Sequence, residues 1–321
     1  MRKILLIGSF LSVFWCQIFV NASLYSDPFL QKLRAEERWA ELVLQLKPVT
    51  SSKKKWTAED LIYLEALMNL GRRNDAMNVI KAKIPFGSLN EKKQLMDRLE
   101  IVSTTFLTRD AYQAYRNALN KLKAARYDEA QDRLESLLGR EPHNIQVLTD
   151  LAFCRIQLRQ IDLAIETLKT VKHLNPYHQT AGVFLGRSYY LKGDLQRSRQ
   201  EYAALDWEKQ VFSAYAAAWY AELLYSQLEF KKAITVLEKD LDRNPEHLPS
   251  LIMKAQLYFS EATSELRELW KARAELQLAQ SRYEKFQKIH PYAAQRLKPK
   301  MNQLMNAIEK SIALLQGKSK S

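Results

Sequence analysis

Five small residues, Ala118, Ala152, Gly186, Ala221 and Ala255, recur at steps of 34, 34, 35 and 34 residues. A second set, Ala130, Ala164, Ser198 and Ala233, runs twelve residues behind the first. A third is proline, at Pro142, Pro176, Pro245 and Pro291. Small residues at fixed spacing let two helices approach closely, and proline ends a helix because it lacks the N–H that the next turn needs. A 34-residue unit of two helices cannot bury its apolar face alone, so the period specifies a stack of helical hairpins.

The repeats read directly from the chain. Residues 145–178 are IQVLTDLAFCRIQLRQIDLAIETLKTVKHLNPYH, and residues 179–202 are QTAGVFLGRSYYLKGDLQRSRQEY. Residues 111–144 and 214–247 follow the same pattern. Leu185-Gly186, Gly193-Asp194 and Tyr202, with Leu151-Ala152, Ala164, Leu168 and Pro176, make the sequence resemble the tetratricopeptide repeat family over roughly residues 57–291. The resemblance implies an all-α, right-handed α-solenoid of helix–turn–helix repeats with a C-terminal capping helix. The third repeat departs from the pattern: Gln210 stands where the closing proline belongs, at the end of LDWEKQ.

These features divide the chain into five parts: an export signal at 1–22, N-terminal helices with a degenerate repeat at 23–110, four regular repeats at 111–247, an altered repeat at 248–291, and a capping helix with a basic tail at 292–321. Within the second part, one helix is expected over 29–47, with Leu30, Leu33, Trp39, Leu42 and Leu46 inward. A polar basic loop is expected over 48–55. Leu61, Leu64 and Leu67 keep helical spacing ahead of a turn at Leu70-Gly71. One more helix is expected over 90–107, capped by Ser88 or Asn90. Twelve residues are added before Pro291, so the second helix of the last repeat, capped by Thr263 or Ser264, should reach Ile289 and overhang its neighbours by about 18 Å. A final helix is expected over 299–315, with Pro299 in its first turn and Met301, Leu304, Met305, Ile308, Ile312 and Leu315 facing inward.

Arg2 and Lys3 precede an apolar stretch from Ile4 to Val20, and Val20-Asn21-Ala22 offers small residues for cleavage. That is the pattern of a secretory signal, with a retained anchor helix as the alternative. Without the signal the chain keeps only Cys154, expected as a small packing residue, and no Asn-x-Ser/Thr sequon. An exported chain with neither disulfides nor sequons fits a bacterial periplasm. The formal net charge is +13, and +11 without Arg2 and Lys3. In an exported protein that charge suits an anionic envelope surface, a cell-wall polymer or an acidic partner rather than nucleic acid. The densest basic stretches are Lys53-Lys54-Lys55 and the one holding Arg296, Lys298 and Lys300.

No phosphate loop, nucleophile elbow or HExxH pattern is present. The five histidines, His143, His173, His178, His247 and His290, fall at the ends of second helices or in the turns after them, where dipole and capping roles account for them. No catalytic residue, metal or cofactor is expected. In solenoids of the resembled family the first helices line the binding face. By helical phase the exposed positions there include Tyr112, Tyr115, Arg116, Leu119 and Leu122, then Thr149, Phe153 and Ile156, and Val183, Arg187 and Tyr190. They continue with Ala218, Trp219, Glu222 and Tyr225, and with Ile252, Gln256 and Phe259. The family's clamp for a C-terminal carboxylate does not carry over, because its positions hold Tyr115, Leu119, Thr149 and Phe153. Tyr190, Tyr225 and Phe259, at steps of 35 and 34, should stack along the groove. Aromatic rings with a few arginines suit a peptide or helix of a protein partner. The expectation is a non-catalytic scaffold in the cell envelope, with a cell-wall or glycan-binding module as the alternative.

Overall fold

The computed structural model describes residues 27–52, 55–205, 207, 215–262, 265–289 and 291–318. The expected export signal, Gln210, the capping candidates Thr263 and Ser264, Lys53, Lys54 and His290 lie outside the described residues. Among the described residues there is no strand, and the chain is all-α. The N-terminal helices are α1 (Pro28–Ala35), α2 (Trp39–Ser52), α3 (Ala58–Asn69), α4 (Arg73–Lys83) and α5 (Leu89–Thr104). The repeats follow as α6 (Arg109–Lys123) with α7 (Tyr127–Leu138), and α8 (Ile145–Gln157) with α9 (Ile161–Leu174). Next come α10 (Gln179–Lys192) with α11 (Leu195–Ala203), and α12 (Ala216–Ser226) with α13 (Phe230–Arg243). The chain ends in α14 (Leu248–Glu261), α15 (Leu266–Ile289) and α16 (Pro291–Lys318). No helix among the described residues is long and apolar enough to cross a membrane. Contacts group the chain into two compact units: unit 1 runs to Leu122 and from Arg126 to Ala181, and unit 2 holds Lys123–Ala125 and everything from Gly182.

Within each unit the small-residue ladder does what its spacing predicts. All nine rungs are buried. In unit 2 the Ser198 hydroxyl donates to the Gly186 carbonyl at 2.7 Å, and a Cβ added at Gly186 would lie 2.7 Å from the ring of Tyr202. Glycine is required there by close approach, not by backbone conformation.

A further ladder emerges at the hairpin turns. Glu37, Gly71, Ala125, Arg159, Gly193 and Leu228 all take positive φ, between 56° and 87°. In each case the next N–H reaches back five residues to a helix carbonyl: Arg38 to Leu33, Arg72 to Leu67, Arg126 to Lys121, Gln160 to Arg155, Asp194 to Tyr189 and Glu229 to Leu224. That closure satisfies carbonyls that the helix end would leave bare. Glycine fills the site twice; the other four residues accept a left-handed conformation at a cost of about 1 kcal/mol each.

Three expectations fail, each for a physical reason. The single helix expected over 29–47 is two helices, broken by the left-handed turn at Glu37, so α1 and α2 form a hairpin of the same type as the repeats. Leu30, Leu33, Leu42 and Leu46 are buried as expected, while Trp39 is only half-buried. The loop expected over 48–55 begins late, because α2 continues through Pro48 to Ser52. The last helix starts at Pro291 rather than near Pro299, which sits inside it. Proline is well placed in the first turn, and Pro291 takes that role.

The same helix explains why α15 does not project freely. Its 24 residues exceed the 12 to 14 of α7, α9 and α13, but α16 runs alongside. The buried residues of α15 are Leu269, Ala272, Leu276, Ala279, Tyr283 and Phe286, a three-four spacing. Ala294, Met301 and Ile308 answer at sevens on α16. This is the seam of a two-helix coiled coil, and Arg273 pairs with Glu309 across it at 2.6 Å. Leu304, Met305, Ile312 and Leu315 complete the same apolar cluster, as expected of a cap. The helix expected over 90–107 is α5, with Ser88 and Glu91 forming a reciprocal cap.

Candidate functional site

In unit 2, side chains of α10 and α12 meet. Arg187 on α10 lies between two rings, 5.2 Å from the centroid of Tyr190 and 5.3 Å from that of Trp219. Its Nη1 donates to Glu222 Oε2 at 2.8 Å. Trp219 stacks on Tyr215 at 5.5 Å and 17°, and its other neighbour is Phe184 at 6.2 Å. The spacing makes this possible: Arg187 and Tyr190 are three apart on one helix, Trp219 and Glu222 three apart on the next. All four are half-buried, so their edges reach solvent. Burial raises the Tyr190 phenol above its ordinary range, and the carboxylate of Glu222 pushes the same way. Beneath them the Tyr202 hydroxyl is buried without a hydrogen-bond partner, and burial raises its pKa strongly. Tyr202 stacks on Tyr220 at 5.1 Å, and Tyr220 on Trp207 at 5.4 Å. Two of the three rings, Tyr202 and Trp207, belong to the repeat that lacks its closing proline. The Arg243 guanidinium also donates to the Trp207 carbonyl there.

The expected stripe of Tyr190, Tyr225 and Phe259 is not a run of like contacts. Tyr190 meets Arg187, Tyr225 meets Phe230 edge-on at 6.4 Å, and Phe259 packs against the C-terminal cluster. Phe230 continues edge-on to Tyr258, which lies beneath Lys254 and Lys271. Lys254 is held by Glu275 at 2.9 Å. Gln256 is half-buried, with its side-chain oxygen unpartnered. Val183, Ala218 and Ile252, expected at the surface, are buried. Around Ala218 and Ile252, α12 packs against α14.

Unit 1 holds the remaining candidates. Tyr112 and Arg116 are exposed, and Phe153 is half-buried against Tyr127 at 6.1 Å. Tyr115 is buried rather than exposed. Its hydroxyl donates to Asp150 at 2.7 Å, and its ring lies 4.9 Å from Phe106. Burial raises the Asp150 carboxyl despite the donors Tyr115 and Gln146. Thr149 and Ile156 are buried too, and Leu119 and Leu122 are half-buried. Helical phase cannot tell which positions of a helix face the neighbouring repeat covers.

Several polar clusters escaped the sequence reading. The buried guanidinium of Arg73 pairs with Glu141 and donates to the carbonyls of Pro142 and Thr105, while Glu141 accepts the Leu107 N–H at 2.7 Å. His178 meets Glu100 at 3.0 Å and Thr149 at 3.2 Å. His247 Nδ1 contacts both Asp240 at 2.5 Å and Ser250 at 2.9 Å. The last set has triad residue types but not triad geometry, since one ring nitrogen serves both partners and Ser250 is fully buried. These groups tie turns to helix starts. Cys154 is fully buried, and burial pushes its thiol up to about 12, as suits a packing residue.

Residues 121–176, running from the end of α6 through α9 to Pro176, match the family model for the tetratricopeptide repeat. No curated protein matches the chain. Among solved structures it is similar to a thermophilic TPR protein of Thermus thermophilus, at 19% identity, covering 63% of this chain and 99% of that one with a TM-score of 0.48. It is similar to the human IFIT1 dimer with m7Gppp-AAAA at 14% identity, covering 95% of this chain and 77% of that one with a TM-score of 0.46. It is also similar to YrrB, a TPR protein with an unusual peptide-binding site, at 18% identity, covering 64% and 95% with a TM-score of 0.36.

Proposed function

We propose that this chain is a non-catalytic adaptor that binds a peptide or helix of a protein partner on the aromatic–arginine face of unit 2, and that it acts in the cell envelope after export. The observation that carries the reading is Arg187, fixed by Glu222 between Tyr190 and Trp219. An arginine and rings held rigid before binding lose little entropy when a partner arrives, and such groups dominate binding hot spots. Tetratricopeptide repeats generally mediate contacts between proteins, which supports the same reading. The export half rests on the apolar stretch after Arg2 and Lys3.

In-cell crosslinking followed by mass spectrometry tests the adaptor, comparing the native chain with Arg187→Ala/Trp219→Ala. Loss of one reproducible partner, with helical content unchanged, is the expected result; equal recovery of that partner removes unit 2's face from consideration. On this face Arg187 already covers the rings of Tyr190 and Trp219. That favours a protein partner over stacked sugars, the alternative reading.

A further inference from the structure

The long pair α15 and α16 forms a second candidate site, independent of the adaptor reading. Where the two helices meet, an open cleft of about 730 Å³ is cut into unit 2. Tyr283 and Gln287, four apart on α15, form one wall. Pro291, Gln295, Lys298 and Asn302 lie on one stripe of α16 and form the other. The size is ordinary for a small-ligand site, and the chemistry of the lining is specific.

Among the described residues no carboxylate lines this cleft, although acidic partners neutralise cations elsewhere in unit 2. Glu222 holds Arg187, Glu229 holds Arg199, and Glu275 holds Lys254. One turn before the cleft, Glu246 takes both Arg282 and Lys285. Among the described residues Lys298 has no such partner; its ammonium lies 5.4 Å from the Tyr283 ring centroid, which positions it without neutralising it. Three carboxamides surround it, each able to donate and accept. Pro299, also on the wall, cannot donate the helical hydrogen bond to the Gln295 carbonyl, so that acceptor loses its ladder donor beside the cleft.

A cation without a carboxylate partner, several groups of mixed hydrogen-bonding sense, and apolar patches from Tyr283, Pro291 and Pro299 on which a sugar ring can rest together match a ligand that is both polyhydroxylated and negatively charged. We propose that the α15–α16 cleft binds an anionic sugar, one bearing a carboxylate or a phosphate, with Lys298 taking the charge and Gln287, Gln295 and Asn302 the hydroxyls.

Isothermal titration calorimetry on the full chain tests this with four probes: trigalacturonate, mannose 6-phosphate, maltotriose and triglutamate. Saturable binding of trigalacturonate or mannose 6-phosphate is expected, and which of the two binds more tightly identifies the source of the charge. Lys298→Gln should weaken that binding about tenfold, the worth of one charge-assisted hydrogen bond. Lys300→Gln, outside the cleft, should change it by less than about twofold in physiological salt. Lys298 is exposed, so its replacement leaves folding intact, and an unchanged melting curve verifies that. Absence of saturable binding by both anionic sugars overturns the proposal. So does triglutamate binding as tightly as they do, which would make the cleft a site for acidic peptides. Equal affinity of Lys298→Gln and the native chain overturns it as well.

Discussion

Gly186→Ala is the sharpest test of the packing argument, because two effects of known size oppose each other. In a helix interior alanine is favoured over glycine by about 1 kcal/mol. Gly186 lies within α10 with no unusual φ, so propensity alone predicts stabilisation. The new Cβ, however, would lie 2.7, 2.8 and 2.9 Å from three ring atoms of Tyr202, about 0.7 Å inside the 3.4 Å limit of ordinary contact at the closest. The ring has no room to withdraw: it is fully buried and stacked on Tyr220, which is itself stacked on Trp207. Overpacking of this kind costs about 1–3 kcal/mol, and three simultaneous contacts place it at the upper end. The net is a loss of about 1–2 kcal/mol, or roughly 1.5–3 °C in melting temperature for a chain of this size. Thermal unfolding followed by circular dichroism reads it directly. The same substitution in a Tyr202→Leu background should instead be neutral or stabilising, since the obstacle is gone and the propensity gain remains. A rise in melting temperature with Tyr202 present, or an equal effect in both backgrounds, would refute the reasoning.

Two further substitutions probe single turns. Leu228 is 93% exposed at φ 63°, so Leu228→Gly gives up no packing and relieves the left-handed strain; a gain of about 0.5 kcal/mol is expected in urea unfolding. Asp240 is raised by burial, yet the His247 and Ser250 donors and the nearby Arg243 outweigh that and leave its carboxyl below the ordinary range. A depressed carboxyl stabilises above its unfolded pKa, and that contribution vanishes as pH falls through the folded value. Asp240→Asn should therefore cost about 1–2 kcal/mol at pH 7 and progressively less as the pH falls below the ordinary carboxylate range, a trend visible in a series of denaturant titrations.

The candidate site was legible in part. The residues 187, 190, 219 and 222 follow from helical phase once the repeat is recognised, because their spacing is set by 3.6 residues per turn. Their grouping around one arginine does not follow, since it depends on which way a long side chain turns between two helices. Tyr115 shows the opposite failure: its phase is that of an exposed position, but it is buried with its hydroxyl donating to the half-buried Asp150. The cleft between α15 and α16 was visible only as twelve extra residues and a basic stretch. Its lining needed both helices in place.

What the sequence determined by itself is the period. Small residues every 34 positions permit one kind of packing, and nine buried rungs obey it, because close helix approach is forbidden to larger side chains. Proline and glycine told less. Pro291 closes its repeat as expected but also opens the next helix, Pro299 sits inside that helix, and four of the six left-handed turns hold Glu37, Ala125, Arg159 and Leu228 rather than glycine. These are the places where tertiary structure decided. Local backbone preferences are worth about 1 kcal/mol each, and burying the apolar face of a neighbouring helix, at roughly 1.5–3 kcal/mol for each large side chain, overrules them.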